Sequence, residues 1–350
     1  MVDLEKLTIF IDIKVQANKM SNRKNDHITL ATKSRITTLE SDNRFYYEPL
    51  LASHPLKNPS PFNCLGKTLK YPIWVSSMTG GADQARNINH NLATICREFG
   101  FGMGLGSCRI LLENRERWVD FDLRATLGNE VPFYANLGIA QLEELVHYKR
   151  TNEIETLVQD LKCDGIIIHI NPLQEAIQPG GDKIKVAPLE TIKTFISNTN
   201  LKVIVKEVGQ GFGPKSLFEL LKLPLEALEF GALGGTNFAL LEMHRRTDAG
   251  LDQYLPLAKC GHSASEMVQF ANKIVIDHPN DIKCHQLIIS GGITNAVDGF
   301  YLTNQSTIPA VFGMGSAFLQ YAAVGIDELR SYCENLVWSY QLAQNYLAFK

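Results

Sequence analysis

The chain contains no long apolar run, no paired-cysteine motif and no excess of one charge. Its 350 residues include 34 Lys and Arg and 37 Asp and Glu, for a formal net charge of −3. This balance provides no basic footprint for nucleic acid or an acidic membrane surface, and no stretch approaches the roughly 20 apolar residues of a membrane span. The seven cysteines lack CxxC and zinc-ligand spacing, which indicates reduced thiols. We therefore expect a cytoplasmic protein that binds neither nucleic acid nor membrane.

Short apolar runs alternate with helical segments along most of the chain, a pattern typical of repeated βα units and a parallel sheet. Eight strands are predicted: Pro72–Ser76, Gly102–Leu105, Pro132–Asn136, Gly165–Ile170, Lys202–Lys206, Leu228–Gly231, Gln286–Ser290 and Ala310–Gly313. The helices predicted between them include Gln84–Phe99, Leu142–Lys162, Leu189–Asn198 and Lys215–Leu221, and an inserted excursion is expected within Leu240–Lys283. Eight strands predict a (β/α)8 TIM barrel.

A doubly wound sheet is the competing architecture, but no GxGxxG opens a helix after the first predicted strand. We assign residues 21–350 to a single barrel domain and residues 1–20 to an N-terminal extension of unknown role. Asp12 and Lys14 interrupt the apolar stretch of that extension and no small-residue cleavage site follows, so it does not resemble a secretory signal.

The fourth predicted strand ends in an unusual concentration of polar side chains. His169, Asn171, Gln174 and Glu175 fall within seven positions directly after an isoleucine run. Catalytic groups of a β/α barrel lie at the C-terminal ends of its strands. This segment is therefore the leading candidate for an active site, and an ordinary polar loop is the alternative.

Other predicted strands end in glycine-rich signatures that leave backbone N–H groups accessible. The loops after strands seven and eight contain Gly291-Gly292 and Gly315-Ser316, and loops in these positions commonly bind phosphate. Lys206 ends the fifth strand, where its cation could stabilise negative charge at the N1/O2 locus of a reduced flavin. Alternatively, Lys206 pairs with Glu207 or Glu229, and the glycines form tight turns. Together the features favour a phosphorylated planar cofactor, and FMN fits best.

A basic segment, Asn22-Arg23-Lys24-Asn25-Asp26-His27, precedes the barrel. Adjacent Arg and Lys side chains can bind a diphosphate through bidentate and point-charge contacts. A solvated tail is the alternative.

The motifs RKNDH, MTGG, GSCR, ANLG, HINPLQE, KEVG, GGTNF and SGGI occur in order from about Asn22 to Phe318. In sequence and spacing this set resembles the type 2 isopentenyl diphosphate isomerases, which are flavin enzymes of prenyl-precursor metabolism. The resemblance implies interconversion of isopentenyl and dimethylallyl diphosphate by reduced FMN acting as an acid/base catalyst, with Mg²⁺ on the diphosphate and NADPH as the flavin reductant. It also implies a homotetramer or larger assembly and an N-terminal arm that folds over the barrel mouth.

The same resemblance implies roles for individual residues. It assigns the catalytic positions to Gln174 and His169 and the Mg²⁺ ligand to Glu175. Substrate binding is assigned to Arg23, Lys24, His27, Ser107, Arg109 and Gln174. FMN binding is assigned to Met78, Thr79, Gly80, Ser107, Asn136, Lys206, Thr236, Gly291, Gly292, Gly315 and Ser316.

Three positions depart from the family pattern. Cys108 occupies the place of a usual Gln, which puts one polar substrate contact in doubt. Thr294 follows SGGI where an Arg is common, and Gly315-Ser316-Ala317 replaces a common A-R-P sequence. These changes shift the expected phosphate contacts towards backbone N–H groups.

Two other functions compete with the isomerase. An FMN-dependent oxidoreductase of the hydroxy-acid oxidase type shares the glycine loops and the lysine, but it requires a His base and an Arg clamp late in the barrel. The segment Ser290–Thr294 contains neither. A flavin-binding protein without turnover would not need Glu175 in a position to bind metal.

Overall fold

A computed structural model describes residues 23–55, 61–78, 80, 84–247 and 251–350. The predicted extension, residues 1–20, lies outside this set, as does Thr79. The described residues belong to two units: a smaller one with the described residues up to Tyr46 and Ala348–Lys350, and a larger one over Tyr47–Leu347.

The larger unit contains a closed, parallel, eight-stranded barrel whose strands follow chain order around the ring. Barrel strands 1 to 8 are Ile73–Val75, Gly102–Gly104, Phe133–Gly138, Gly165–Ile170, Val203–Glu207, Ala227–Glu229, Leu287–Ser290 and Ala310–Met314. Every strand lies within two residues of its predicted position. The sequence prediction of a (β/α)8 barrel is confirmed.

Large side chains fill the barrel interior, and glycine on a neighbouring strand leaves room for one of them. The Trp74 indole is fully buried and packs against Tyr134, with ring centroids 6.1 Å apart. A Cβ on Gly102, the neighbour of Trp74 in register, would collide with the indole ring. Any larger residue at position 102 would therefore displace the central tryptophan.

Helices surround the barrel strands on the outside. They span Ala85–Phe99, Arg109–Glu113, Arg124–Leu127, Ile139–His147, Asn152–Asp160, Pro172–Ile177, Pro188–Ser197, Pro214–Leu221, Phe238–Arg245, Leu255–Ala258, Ala264–Asp277, Ala296–Gln305, Ser316–Val324 and Ile326–Tyr346. Two 3₁₀ segments cover Arg115–Asp120 and Leu251–Gln253. Within the described residues, no helix combines the length and apolar character that a membrane crossing needs.

One helix prediction was wrong in its extent. The predicted helix Leu142–Lys162 is two helices, Ile139–His147 and Asn152–Asp160. The chain turns between them at Lys149, whose φ is 56°. Neither glycine nor proline marks this turn, so the sequence contains no local signal for it.

At the N-terminal ends of the barrel strands lie a β-hairpin and a cluster of charged side chains. Strands Phe62–Cys64 and Lys67–Leu69 pair antiparallel. The Lys67 ammonium and the Arg124 guanidinium contact Asp164 Oδ2 at 2.7 Å and 3.0 Å, and the Phe133 N–H donates to the same oxygen at 2.8 Å. Asp164 directly precedes barrel strand 4. The cluster therefore joins the start of that strand to the hairpin, to the helix Arg124–Leu127 and to barrel strand 3.

The described part of the smaller unit contains a helical segment over residues 23–30. Phe45 packs against Phe349 with ring centroids 5.7 Å apart, and the Lys350 N–H donates to the Arg44 carbonyl at 3.1 Å. The remaining short strands are Phe45–Tyr47 and Leu347–Phe349. Placement of the arm over the barrel mouth stays a prediction.

Candidate active site

Three ionisable side chains meet because strand register aligns them. His169 on barrel strand 4 pairs with Lys206 on strand 5, and Lys206 pairs with Glu229 on strand 6. All three positions lie near the C-terminal ends of their strands, where this fold places catalytic groups. No sequence motif joins these residues, which are separated by tens of positions along the chain.

His169 is held by the amide of Asn136. The Nδ1 atom of the ring lies 2.7 Å from Asn136 Oδ1, and Asn136 Nδ2 donates to the Leu105 carbonyl at 3.0 Å. Burial lowers the pKa of His169 to about 3, and the neighbouring Lys206 cation acts in the same direction. The imidazole is therefore neutral at physiological pH.

Lys206 is buried, and so is the neighbouring carboxyl group of Glu229. Its ammonium donates to the Glu207 carbonyl oxygen at 3.0 Å, whereas the Glu207 carboxylate accepts the N–H groups of residues 209, 210 and 211. Glu229 is fully buried and accepts a hydrogen bond from the Ser290 hydroxyl at 3.2 Å. Burial raises the pKa of Glu229, although Lys206 and the neighbouring hydroxyls oppose that rise.

Glycine-rich loops form a cavity around this polar floor. A Cβ on Gly235 would lie 3.1 Å from the backbone nitrogen of Gly292, so the loops after strands 6 and 7 pack through their backbones. The helix Ser316–Val324 begins at the same cavity, and its N-cap residue makes no side-chain hydrogen bond. The predicted FMN residues that line the cavity are Met78, Lys206, Thr236, Gly291, Gly292, Gly315 and Ser316.

A second cluster follows barrel strand 4. Pro172 opens the helix Pro172–Ile177, where its fixed φ suits the first helical position. The Asn171 amide donates to Gln174 Oε1 at 3.2 Å and to Glu175 Oε1 at 2.9 Å. Gln174 and Glu175, which the sequence placed in the site, are thus oriented by one buried asparagine.

Sequence reasoning missed Asp182, which connects this cluster to Arg109. The Asp182 N–H donates to Glu175 Oε2 at 2.8 Å. Its Oδ2 accepts from Arg109 Nη1 at 2.6 Å and from Gln141 Nε2 at 2.8 Å. The Gly180-Gly181 turn that precedes Asp182 was the available signal, since two adjacent glycines indicate a tight reversal after the NPLQE segment.

Several of the residues predicted to bind cofactor or substrate do not line the glycine-rich cavity. Gly80 packs on the Ser107 backbone, because a Cβ there would collide with the Ser107 carbonyl oxygen. Asn136 uses its amide on His169 and Leu105, as described above. Arg23, Lys24 and His27 are exposed residues of the smaller unit's helical segment. The roles assigned to these residues, and to Thr79 beyond the described set, stay predictions.

Cys108, the first departure from the family pattern, has a fully buried side chain. Its N–H donates to the Asn136 carbonyl at 2.7 Å. Burial raises the pKa of the thiol to about 12, so the group is neutral. A small, neutral, buried side chain therefore occupies this position, directly before Arg109 in the sequence.

A closed (β/α)8 barrel with buried ionisable groups gathered at the C-terminal ends of its strands has the active-site architecture of a TIM-barrel enzyme. No family model matches the chain. It is 32% identical to the isopentenyl-diphosphate delta-isomerase of Cronobacter sakazakii over 337 residues, covering 90% of this chain and 92% of the relative. It is 33% identical to the enzyme of the same name from Rickettsia africae over 310 residues, covering 86% and 85%. The chain belongs to the isopentenyl-diphosphate delta-isomerase family and is an isomerase, as its motifs predicted.

Solved structures support the fold at much lower sequence identity. A mandelate oxidase mutant carrying a monooxide FMN adduct aligns with a TM-score of 0.52 at 12% identity, covering 86% of this chain and 83% of that one. A flavocytochrome b2 mutant with bound sulfite aligns with a TM-score of 0.58 at 13% identity, covering 86% and 72%. At such identity the likeness concerns the barrel alone.

Proposed function

We propose that this enzyme interconverts isopentenyl and dimethylallyl diphosphate, with reduced FMN and Mg²⁺ bound at the C-terminal end of the barrel. Because the chain belongs to the isomerase family, the proposal rests on one further observation, the arrangement of Lys206, His169 and the Gln174-Glu175 cluster. Lys206 lines the glycine-rich cavity and is paired in register with His169, whose strand leads directly into the Gln174-Glu175 cluster. The cavity proposed for the cofactor and the carboxylate proposed for the metal ion are therefore associated with neighbouring barrel strands, 5 and 4.

The cavity suits FMN in the hydrogen-bond donors and the charge of its lining. A phosphate would meet backbone N–H groups of glycine loops and an uncapped helix N-terminus, both of which favour anions. Lys206 would stabilise negative charge on the reduced isoalloxazine ring. The buried Ser77 hydroxyl on the cavity wall has no hydrogen-bond partner among the described residues, which suits a wall that contacts a polar ring edge.

Glu175 suits Mg²⁺ because, within the described part of the chain, each of its oxygens accepts a single hydrogen bond and retains lone-pair capacity. Among the described residues, no cluster of three or more His, Cys, Asp or Glu side chains forms a ready-made metal site. Mg²⁺ is commonly bound through one or two carboxylates together with substrate phosphate oxygens. We propose that the substrate diphosphate and Glu175 hold the ion together.

The difficult step is protonation of an unactivated alkene, because it places a tertiary cation in the apolar part of the substrate. Reduced FMN supplies, when bound, an acidic proton and an electron-rich face next to that cation. Arg23, Lys24, Arg109 and a Mg²⁺ ion on Glu175 would hold the diphosphate, so that remote binding energy positions the alkene. Gln174 would orient the isoprenyl carbons or relay a proton. His169, which is neutral at physiological pH, would act through hydrogen bonds rather than as a proton donor.

The proposal also includes NADPH as the flavin reductant and a homotetramer or larger assembly, both implied by the family resemblance. A hydroxy-acid oxidase remains the alternative enzyme, and its required His and Arg are missing from Ser290–Thr294. A flavin protein without turnover is the other alternative.

Counting product per reductant tests the proposal. Protein reduced once with dithionite under anaerobic conditions should convert many equivalents of isopentenyl diphosphate when Mg²⁺ is present. In D₂O the product should gain deuterium at the methyl group formed by alkene protonation. One product per flavin, or full activity with oxidised FMN, would favour an oxidoreductase instead. A flavin-loaded protein without any turnover would favour the binding protein.

A further inference from the structure

The loop after the helix Pro172–Ile177 folds back on that helix. The Gly181 N–H donates to the Gln178 carbonyl at 3.0 Å, and a Cβ on Gly181 would collide with the Glu175 carbonyl oxygen. This close approach brings the next residue, Asp182, beside the Glu175 side chain. Glycine at position 181 is therefore required for the contact between the Asp182 N–H and Glu175.

Asp182 uses two different groups to contact two different parts of the site. Its backbone N–H binds the Glu175 carboxylate, and its side-chain Oδ2 binds the Arg109 guanidinium and the Gln141 amide. Arg109 lies 73 positions away in sequence and opens a short helix after barrel strand 2. Asp182 therefore links Arg109 to Glu175.

The Arg109 guanidinium keeps donors free for a ligand. Its Nη1 contacts Asp182, and its Nε lies 3.7 Å from the carboxylate of the exposed Glu113. Nη2 has no hydrogen-bond partner within the described part of the chain. A guanidinium carries five N–H donors in a rigid fork, so one anchored nitrogen orients the remaining donors. Arg109 is about half exposed, which makes such an anchor necessary to restrict its rotamers.

We infer that Asp182 is the positioning residue of the diphosphate end of the site: its carboxylate orients Arg109, and its N–H orients Glu175. This inference rests on the proposed function. Asp182 touches neither the reacting carbons nor the flavin in this role. It acts through Arg109 for the substrate anion and through Glu175 for the metal ion, which makes the two actions separable by mutation.

Asp182→Asn tests the side-chain action because it removes the charge and keeps the N–H on Glu175. We expect the apparent Kd of isopentenyl diphosphate for the oxidised, FMN-loaded protein with Mg²⁺ to rise about tenfold, the usual worth of a charge-assisted contact. KM should rise more than kcat falls. The Mg²⁺ concentration at half-maximal binding and the FMN content should not change. Glu113→Gln, at the other acid beside Arg109, is the matched control and should alter binding less than about twofold.

A double-mutant cycle distinguishes positioning from a general structural role. In an Arg109→Ala background, Asp182→Asn should have little further effect, because the group it orients is gone. Full additivity of the two losses would overturn the inference. Tighter diphosphate binding in Asp182→Asn would also overturn it, since Asp182 would then be a competitor for Arg109.

Gly181→Ala tests the backbone action. Moving the Asp182 N–H away from Glu175 should raise several-fold the Mg²⁺ concentration needed for half-maximal binding of isopentenyl diphosphate to the oxidised, FMN-loaded protein, while FMN content stays the same. An unchanged Mg²⁺ dependence would remove this half of the inference. The binding measurements need no turnover, so they report on Asp182 even if the wild-type protein fails the isomerase assay. Failure of the wild-type protein to bind isopentenyl diphosphate or inorganic pyrophosphate would refute both proposals.

Discussion

Glu175 is the residue on which the proposed metal site depends. Its two oxygens are held by Asn171 and by the Asp182 N–H, so the carboxylate is already oriented without a cation. Glu175→Gln keeps the size of the side chain and removes its charge. We predict loss of Mg²⁺-dependent isomerase activity with normal FMN content, because Mg²⁺ prefers anionic oxygen ligands.

The measurement is the initial rate against Mg²⁺ concentration, with the flavin spectrum as the test of folding. Glu190→Gln, at an exposed acid on the following helix, is the control and should behave as the wild type. Unchanged Mg²⁺ dependence in Glu175→Gln would remove this residue from the site.

The lowered pKa of His169 leads to a prediction about the pH dependence of kcat/KM. Because its pKa is lowered to about 3 by burial and by Lys206, the ring carries a proton only in strongly acidic solution. The charge of His169 is therefore constant across the neutral range, and kcat/KM should show no inflection that belongs to His169 between about pH 5 and 8. An inflection near pH 6.5 that disappears in His169→Gln would contradict the neutral assignment.

At the scale of elements, the N-terminal helical segment, residues 23–30, carries the two basic residues assigned to the substrate diphosphate. Arg23 and Lys24 are exposed in it, as are Lys33 and Arg35 a few residues later. If the arm binds the substrate diphosphate, Arg23→Ala with Lys24→Ala should lower kcat/KM by about one to two orders of magnitude, since each charge-assisted contact is worth roughly 1.5–3 kcal/mol.

Lys33→Ala with Arg35→Ala is the matched control, because it removes the same net charge from the same segment. The control should keep its kcat/KM within about twofold, the range of a nonspecific charge effect. Equal losses in the two double variants would mean that only net charge matters. No loss in either would mean that the segment is a solvated tail.

At the scale of the whole molecule, the ionic cluster around Asp164 makes the free energy of unfolding depend on pH in the acidic range. Burial alone would raise the pKa of Asp164, but hydrogen bonds from Lys67 and the Phe133 N–H and the charge of Arg124 outweigh it and lower the pKa. A lowered pKa in the folded state means that the contribution is present above the unfolded pKa of about 3.9 and is lost as pH falls through the folded value.

Asp164→Asn should therefore reduce the free energy of unfolding by about 2–4 kcal/mol at pH 7, because it leaves Arg124 without its charged partner. The difference from the wild type should shrink in strongly acidic solution, where Asp164 is protonated in both states. Urea unfolding at pH 7 and at acidic pH would measure this. Asp160→Asn, which removes an exposed pair with Arg115, should cost less than about 1 kcal/mol.

The barrel as a whole could be predicted from sequence because its strands are local features. Each one is a short apolar run between turn residues, and burial on both faces of a parallel sheet requires such runs. The helix break at Lys149 could not be predicted, since a single residue with positive φ and no glycine leaves no compositional trace. Tertiary packing of the two resulting helices decides that break.

By itself, the sequence determined which strand ends carry polar and glycine-rich segments, and hence where the cavity and the Gln174-Glu175 cluster would form. The partners inside the site were decided only by tertiary structure. The pairing of His169 with Lys206 and of Lys206 with Glu229 depends on strand register around a closed barrel. The contact between Asp182 and Arg109 depends on two loops that converge across 73 positions. Register and loop convergence are properties of the closed ring, and no local run of residues encodes them.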